Sequence, residues 1–281
     1  MMYQQLSLVG SLKDAEIKIT LHTLAALSGM KPTRIFNHHL VWIPTYPFNP
    51  VLAAGEVNQI EQYRITCDTS LVDPASEDEY LPPAGFKENK DFLQTMPWKM
   101  IISEVPEAGK RQVTSQSILE SAIVEGSPFE FMEKMGYKFS HEYWSKGSEF
   151  VFGNIVVRIF RICVKDQITA PTTEDQNLAD TTEGSGTADN AMVIDDDSFG
   201  DKITAETALA SQKAAYQPLK LLDKSGQWSI KAFLSVKQLT DLESIITGTA
   251  QLEKFQAEMA GLFELKMADR NSYDTRLRAN R

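Results

Sequence analysis

Residues 137–165 read YKFSHEYWSKGSEFVFGNIVVRIFRICVK, and the period of this stretch decides the fold class. Alternation puts Tyr137, Phe139, His141 and Tyr143 on one side and Lys138, Ser140, Glu142 and Trp144 on the other. A period of two belongs to a strand, not a helix. Two further strands, SEFVF and IVVRIFRICVK, follow around a turn at Gly153-Asn154. The last is apolar on both faces apart from Arg158 and Arg161, so it has protein on both sides. The two arginines differ in parity and point opposite ways, and one of them inside a closed sheet is expected to be a paired core arginine. The mixture of aromatics and bases in YKFSHEYWSK can stack nucleic-acid bases, but its alternation more simply places Tyr137, Phe139 and Tyr143 in the core.

The same period extends to both sides. YQQLSLVGSL, residues 3–12, sets Gln5, Ser7 and Val9 against Leu6, Leu8 and Gly10. Asp14 is the expected N-cap of a helix of about four turns, with Ile17, Leu21, Leu24 and Ser28 as its stripe. Gly29 suits the left-handed position after that helix, and Pro32 prevents its continuation. TRIFNHHLVWIP, residues 33–44, is a strand with Ile35, Val41 and Ile43 on one face and Phe36, Leu40 and Trp42 on the other. QIEQYRITCDTS, residues 59–70, is another. Residues 72–90 read as a loop, being rich in proline and acid. WKMIISEV and RQVTSQSILESAIV form a hairpin around PEAGK, with residues 118–124 also compatible with helix. PFEFMEKMG is a short helix closed by Gly136. Order returns at QWSIKAFLSVK, residues 227–237, before a long helix with Leu252, Phe255, Met259 and Leu262 buried and a final strand FELKMA.

Eight to ten strands that mostly follow one another directly make a largely antiparallel sheet. The class is mainly β with flanking helices (α+β), and a sheet of this size closes into a barrel or splits into a sandwich. The strand at 227–237 needs partners from earlier in the chain. The expected organisation is one discontinuous domain, residues 1–165 plus 214–281, interrupted by an acidic disordered insertion at 166–213.

Charge supports that division. Residues 166–206 hold eleven acids and one base, a net −10 that equals the formal charge of the whole chain. The rest is balanced, 27 acids against 27 bases, so no basic field draws in DNA or RNA and no direct nucleic-acid contact is expected. No run of eighteen apolar residues is present, so no membrane span is expected, and the N-terminus lacks the pattern of a secretory signal. The two cysteines, Cys67 and Cys163, lie in apolar strands, which points to a reducing compartment, cytosol or nucleus.

Chemistry-bearing motifs are sparse. AMVIDDDSFGD, residues 191–201, resembles a carboxylate metal site, but its flanks are too irregular to hold ligands in place. It reads as a solvated acidic tether, or as a short motif that orders on a partner's sheet edge or basic groove. His38 and His39 are adjacent on a strand and cannot chelate one ion together. Tunnel-shaped barrels that hydrolyse triphosphates hold metal through Glu-x-Glu pairs on strands. The only such pair here, Glu77 and Glu79, lies in the proline-rich loop. No catalytic residue, cofactor or metal is therefore assigned; a metal-dependent phosphate-ester or triphosphate hydrolase is kept as the alternative.

With these residues in place, the chain resembles the fungal Mediator subunit 18 family. The resemblance rests on YQQLSLVGSL, the helix ending in LSGMKP, the strand ending in VWIP, the central MGYKFSHEYWSKGSEFVFGNIVVRIFRI, the terminal ADRNSYDTR, and the acidic insertion before the last strand and helix. It implies a single closed or nearly closed, tunnel-like antiparallel barrel with a helix near each end of the chain and no catalytic carboxylates. It also implies a nuclear, non-enzymatic role in the Mediator head module, pairing with Mediator subunit 20 and a C-terminal helix of Mediator subunit 8, in an assembly that bridges activators and RNA polymerase II. Two candidate partner-binding surfaces follow. Thr20, Thr23 and Leu27 form a second stripe on the first helix, either a docking face or a plain solvated one. Asp269, Arg270, Asp274 and Arg276 lie after the last core element and either pin the tail internally or reach a partner by bidentate bonds.

Overall fold

A computed structural model of the chain describes residues 1–46, 62–71, 85–87, 96–108, 112–165, 216–237 and 241–277. Its strands are β1 (Met2–Lys13), β2 (Thr33–Pro44), β3 (Ile65–Ser70), β4 (Gly85–Lys87), β5 (Trp98–Ser103), β6 (Thr114–Ile123), β7 (Tyr137–Phe152), β8 (Ile155–Lys165), β9 (Tyr216–Leu221), β10 (Gln227–Val236) and β11 (Leu265–Lys266). Its helices are α1 (Ile17–Ser28), α2 (Pro128–Lys134) and α3 (Leu242–Met259).

Antiparallel pairing runs β10-β1-β6-β5-β3-β2-β7-β8, and β8 pairs again with β10. The sheet therefore closes into an eight-stranded barrel, which removes the exposed edges an open sheet would present. Strand β8 divides its free edge: Val156 to Phe160 pair with β10, and Cys163 to Lys165 pair with β9. Closure thus depends on strands that come after residue 215.

Period two decides what each face does. Leu6, Leu8 and Leu12 of β1 lie beside Leu234, Ala232 and Trp228 of β10. This apolar outer wall is covered by Ile17 and Leu24 of α1 and by Ile245, Leu252, Phe255 and Met259 of α3. Each such buried side chain contributes roughly 1.5–3 kcal/mol relative to exposure. Gly248 lets α3 approach closely, since a Cβ there would meet Leu234 Cδ1 at 2.8 Å and Leu6 Cδ1 at 3.1 Å. A second outer cluster joins Leu40, Trp42, Ile65, Cys67 and Trp98 to Met132 of α2, and a third joins Phe36, Trp144 and Cys163 to Leu219 and Leu221 of β9. Cys67 and Cys163 are free and buried.

Several expectations are corrected. SEFVF is not a separate strand but the end of the 16-residue β7. One residue is added to β7 between His141, opposite Val41, and Phe139, opposite Trp42. That bulge changes the parity of the strand's start. Phe139 is consequently 40% exposed at the edge of the Trp42 and Phe129 rings, Tyr137 and Tyr143 are only half-buried, and Trp144 is the fully buried ring. Asp14 is not an N-cap: α1 has no side-chain cap, and the Asp14 carboxylate instead accepts from the Arg161 guanidinium and, at 2.8 Å, from the Trp228 indole N–H. The expected loop at 72–90 contains a strand, β4, paired with β9, and order returns at β9 ahead of residue 227. Residues 118–123 are strand throughout. Leu262 lies beyond the end of α3, and the final strand has only two residues. Glu77, Glu79, the VIDDD motif and the whole of 166–213 lie outside the described residues.

Candidate functional site

The inward face of the barrel is polar. Gln5, Ser7 and Gln116 point away from the helices yet are less than 9% exposed, because the closed sheet itself surrounds them. Arg158 faces inward and donates to Glu149 at 2.6 Å, as a paired interior arginine should. Arg161 faces outward, over the Trp228 ring at 4.3 Å. Lys99 meets Glu120 at 3.1 Å, and the Tyr3 hydroxyl donates to the same carboxylate at 3.3 Å. Burial, then the Glu120 charge, pushes the Tyr3 hydroxyl up to about 12. Lys231 donates to Gln5 Oε1 at 2.7 Å and lies over the rings of Phe233 and Tyr273. Burial, then the Arg158 charge, lowers its ammonium to about 8.

His39 Nδ1 lies 2.7 Å from Asp68 Oδ1, and its Nε2 lies 2.7 Å from Ser145 Oγ, with the Tyr143 ring stacked on the imidazole at 4.5 Å. The order is that of a nucleophile, base and orienting acid. The backbone around it does not suit acyl transfer. Ser145 sits mid-strand, paired with Asn37 on one side and Ile162 on the other. Its neighbouring amides are spent on two ladders, which leaves no pair of N–H groups for an oxyanion. The three residues tie β3, β2 and β7 together across the interior.

His38 points outward, as its parity requires. It meets Glu142 at 2.8 Å and stacks on Trp144 at 4.5 Å, while Lys165 reaches the other Glu142 oxygen at 2.8 Å. Burial lowers the His38 pKa and keeps the ring neutral at pH 7. Burial alone would raise Glu142, but the hydrogen bonds from His38 and Lys165 outweigh it and hold the carboxylate below its usual range. Among the described residues no three His, Cys, Asp or Glu side chains are grouped to hold a metal ion.

The two candidate partner surfaces fare differently. Thr20 is fully buried, with its hydroxyl donating to the Glu16 carbonyl at 2.9 Å, so it belongs to the core side of α1. Thr23 is half-buried and donates to Ile19 O at 2.8 Å. Leu27 is 59% exposed. It forms one wall of an open groove of about 570 Å³, floored by Phe152, Phe255 and Met259 and edged by Lys254 and Glu258 of α3. Ile19 of α1 and Met30 just after it are also exposed apolar residues; the sequence reading missed both.

The C-terminal segment lies across one end of the barrel. Asp269 caps a short 3-10 turn, Arg270 to Tyr273, and Arg270 Nε donates to Pro106 O at 2.8 Å. Arg276 donates from Nε and Nη2 to Asp274, each at 3.0 Å. The Thr275 hydroxyl donates to Ser103 O, and the Arg64 amide donates to Thr275 O at 2.9 Å. Tyr273 reaches inward to lie over Lys231.

The interior set of Gln5, His39, Asp68, Ser145 and Lys231 was not singled out from sequence. Its signal was present in the parity of Gln5 and Ser7 opposite the apolar Leu6 and Leu8, and of Lys231 between Ile230 and Ala232.

Comparison with known proteins places the chain among named relatives. The family model described as Med18 protein matches residues 4–276. The chain is 34% identical over 277 residues to the Mediator of RNA polymerase II transcription subunit 18 of Yarrowia lipolytica, covering 98% of this chain and 100% of that one. It is 23% identical over 390 residues to the Candida albicans protein of the same name, covering 99% and 100%. Among solved structures it is similar to a chain of the Schizosaccharomyces pombe Mediator head module, with a TM-score of 0.63 and 17% identity over 94% of this chain and 98% of that one. At that identity the likeness speaks for the fold.

Proposed function

This chain belongs to the Med18 protein family, and from that premise we propose that it works in the nucleus as a docking subunit of the Mediator head module, with partners seated on the outside of the barrel. It is a structural, non-enzymatic subunit of the transcription coactivator. The observation that carries the docking reading is the groove beside Leu27, where that side chain is 59% exposed next to the half-buried Phe152 and the buried Phe255 and Met259. An apolar floor with a charged rim is the usual anatomy of a protein interface.

The proposed partners are Mediator subunit 20 and the C-terminal helix of Mediator subunit 8, and through them RNA polymerase II; direct contact with nucleic acid is not part of the reading. Thr23 and Leu27 are assigned to the first surface. Asp269, Arg270, Asp274 and Arg276 are assigned to shaping the barrel end, since their bonds within the chain fix the tail. Residues 1–165 and 214–281 are read as one discontinuous domain, a reading supported by the pairing of β10 with both β1 and β8. Residues 166–213 are assigned as an acidic insertion.

Size-exclusion chromatography of the full chain with Mediator subunits 20 and 8 tests this. A stoichiometric complex is expected. Leu27→Glu should weaken it at least about tenfold, the scale of one buried apolar anchor, with the circular dichroism spectrum unchanged. A chain that elutes as a monomer with both candidates present overturns the partner assignment. Undiminished binding by Leu27→Glu overturns the groove.

A further inference from the structure

We propose that the floor of the barrel lumen is a binding site for a small oxyanion of the phosphate class, held jointly by Lys231 and Arg158. Between the rims, Arg158 is matched by Glu149, Lys99 by Glu120, and His39 is hydrogen-bonded to Asp68. Lys231 is left over. Among the described residues its polar acceptor is the neutral Gln5 amide oxygen, and its other neighbours are the Phe233 and Tyr273 rings. An ammonium carries three donors, and one of them is used.

Lys231 is also directly opposite Arg158 in the β10–β8 ladder. Like charges in that position repel. Opposite side chains in an antiparallel pair lie about 5 Å apart at Cβ, a spacing that one tetrahedral oxyanion can bridge. Such an ion accepts from an ammonium and a guanidinium at once through charge-assisted bonds. Arg158 retains donors beyond the Nε that serves Glu149. The lumen is open at this level, since the Arg158 side chain is 43% exposed, and the Tyr273 ring lies 5.7 Å from the Lys231 ammonium. The lowered Lys231 ammonium, due first to burial and then to the Arg158 charge, is consistent with a cation that has no carboxylate partner among the described residues.

The test is calorimetric titration of the full chain with inorganic phosphate against chloride at matched ionic strength. It is paired with NMR of the chain carrying 13C-labelled lysine. Saturable binding is expected, with the Lys231 Cε resonance moving at the same midpoint. Lys231→Met should weaken binding at least tenfold, and Lys224→Met, in the exposed connection between β9 and β10, should leave it unchanged. O-phosphoserine run in parallel separates the free ion from a phosphoryl group on a larger molecule by which of the two binds more tightly. No saturable binding by the wild-type chain overturns the site, as does undiminished binding by Lys231→Met. If Lys231→Met fails to fold, the wild-type NMR titration decides: a saturable Lys231 shift supports the site, and movement of other lysines alone overturns it.

Discussion

Replacing Gly147 with alanine should break the barrel wall more severely than any other single methyl group on β7. Gly147 lies mid-strand, opposite Ile35 of β2 and Phe160 of β8. An added Cβ would sit 2.0 Å from Ile159 O, 2.7 Å from Phe160 Cα and 2.9 Å from Ile159 C. All three neighbours are backbone and cannot rotate aside. Relief requires β8 to retreat by about 1 Å, because a closed, close-packed wall has no slack to absorb the methyl elsewhere. Overpacking costs about 1–3 kcal/mol, and the rigid partners put this case near 3 kcal/mol. At roughly 2–4 °C per kcal/mol for a chain of this size class, the melting temperature should fall by about 6–12 °C in a thermal scan followed by circular dichroism. Gly153→Ala is the internal control. Its φ is +58° with open space around it, so only the left-handed backbone is penalised, at about 1 kcal/mol. If Gly147→Ala melts within about 1 °C of the wild type, or above Gly153→Ala, the close approach of β7 and β8 is wrong.

Three further outcomes follow from the packing and charge. Leu252→Ala, at a fully buried position of α3, should cost about 3 kcal/mol in urea unfolding through lost burial and the cavity left behind; a cost below about 1 kcal/mol would mean that α3 is not seated on the barrel. Lys231→Met should stabilise the chain by about 1–3 kcal/mol at pH 7, because it removes a half-buried cation that faces Arg158 across the ladder. The folded ammonium titrates at about 8 and the unfolded one near 10.4, so the unfolded chain binds more protons between those values and wild-type stability should rise with pH across that window. Lys231→Met should lose that rise. His38 is also depressed, so its contribution is complete above about 6.5 and is lost as pH falls through the lower folded value. Melting curves between pH 7.5 and 5 should therefore slope downward for the wild type and less so for His38→Gln, and equal slopes would exclude His38 as the group responsible.

The fold was legible wherever one face of a strand was apolar and the other was not. Leu6 and Leu8 against Gln5 and Ser7 gave β1 its period, and the helix that ends at Gly29 was bounded by its cap, with φ at +67° in the structure. What failed depended on events outside the local period. The added residue near Ser140 moves Phe139 out of the core and leaves Trp144 as its anchor, and no local sequence cue marks a bulge imposed by the partner strand. Strand β4 is three residues long and forms only because β9, more than a hundred residues later, supplies its ladder. Asp14 had the local chemistry of a cap, yet a tertiary pair with Arg161 and Trp228 took its carboxylate.

The candidate site was harder to read for a reason rooted in closure. In an open sheet, the polar parity of β1 and β10 would be a solvated surface, and Gln5, Ser7 and Lys231 would need no partners. Closing the sheet turns the same parity into an interior, where each polar group must be satisfied or carry a cost. Parity can be read from sequence and closure cannot, so one of Arg158 and Arg161 could be read as a paired interior cation, without saying which, while Lys231 went unnoticed. The outer surface shows the converse. Thr20 and Leu27 both fall on the expected second stripe of α1, but α1 leans on the barrel so that Thr20 is sealed and Leu27 overhangs a groove shared with α3. A stripe read from one helix cannot reveal a second helix placed beside it by residues 242–259. The proposed partner surface is therefore a property of the two helices on one wall, and substitutions in α3 at Lys254 and Glu258 belong to the same test as those at Leu27.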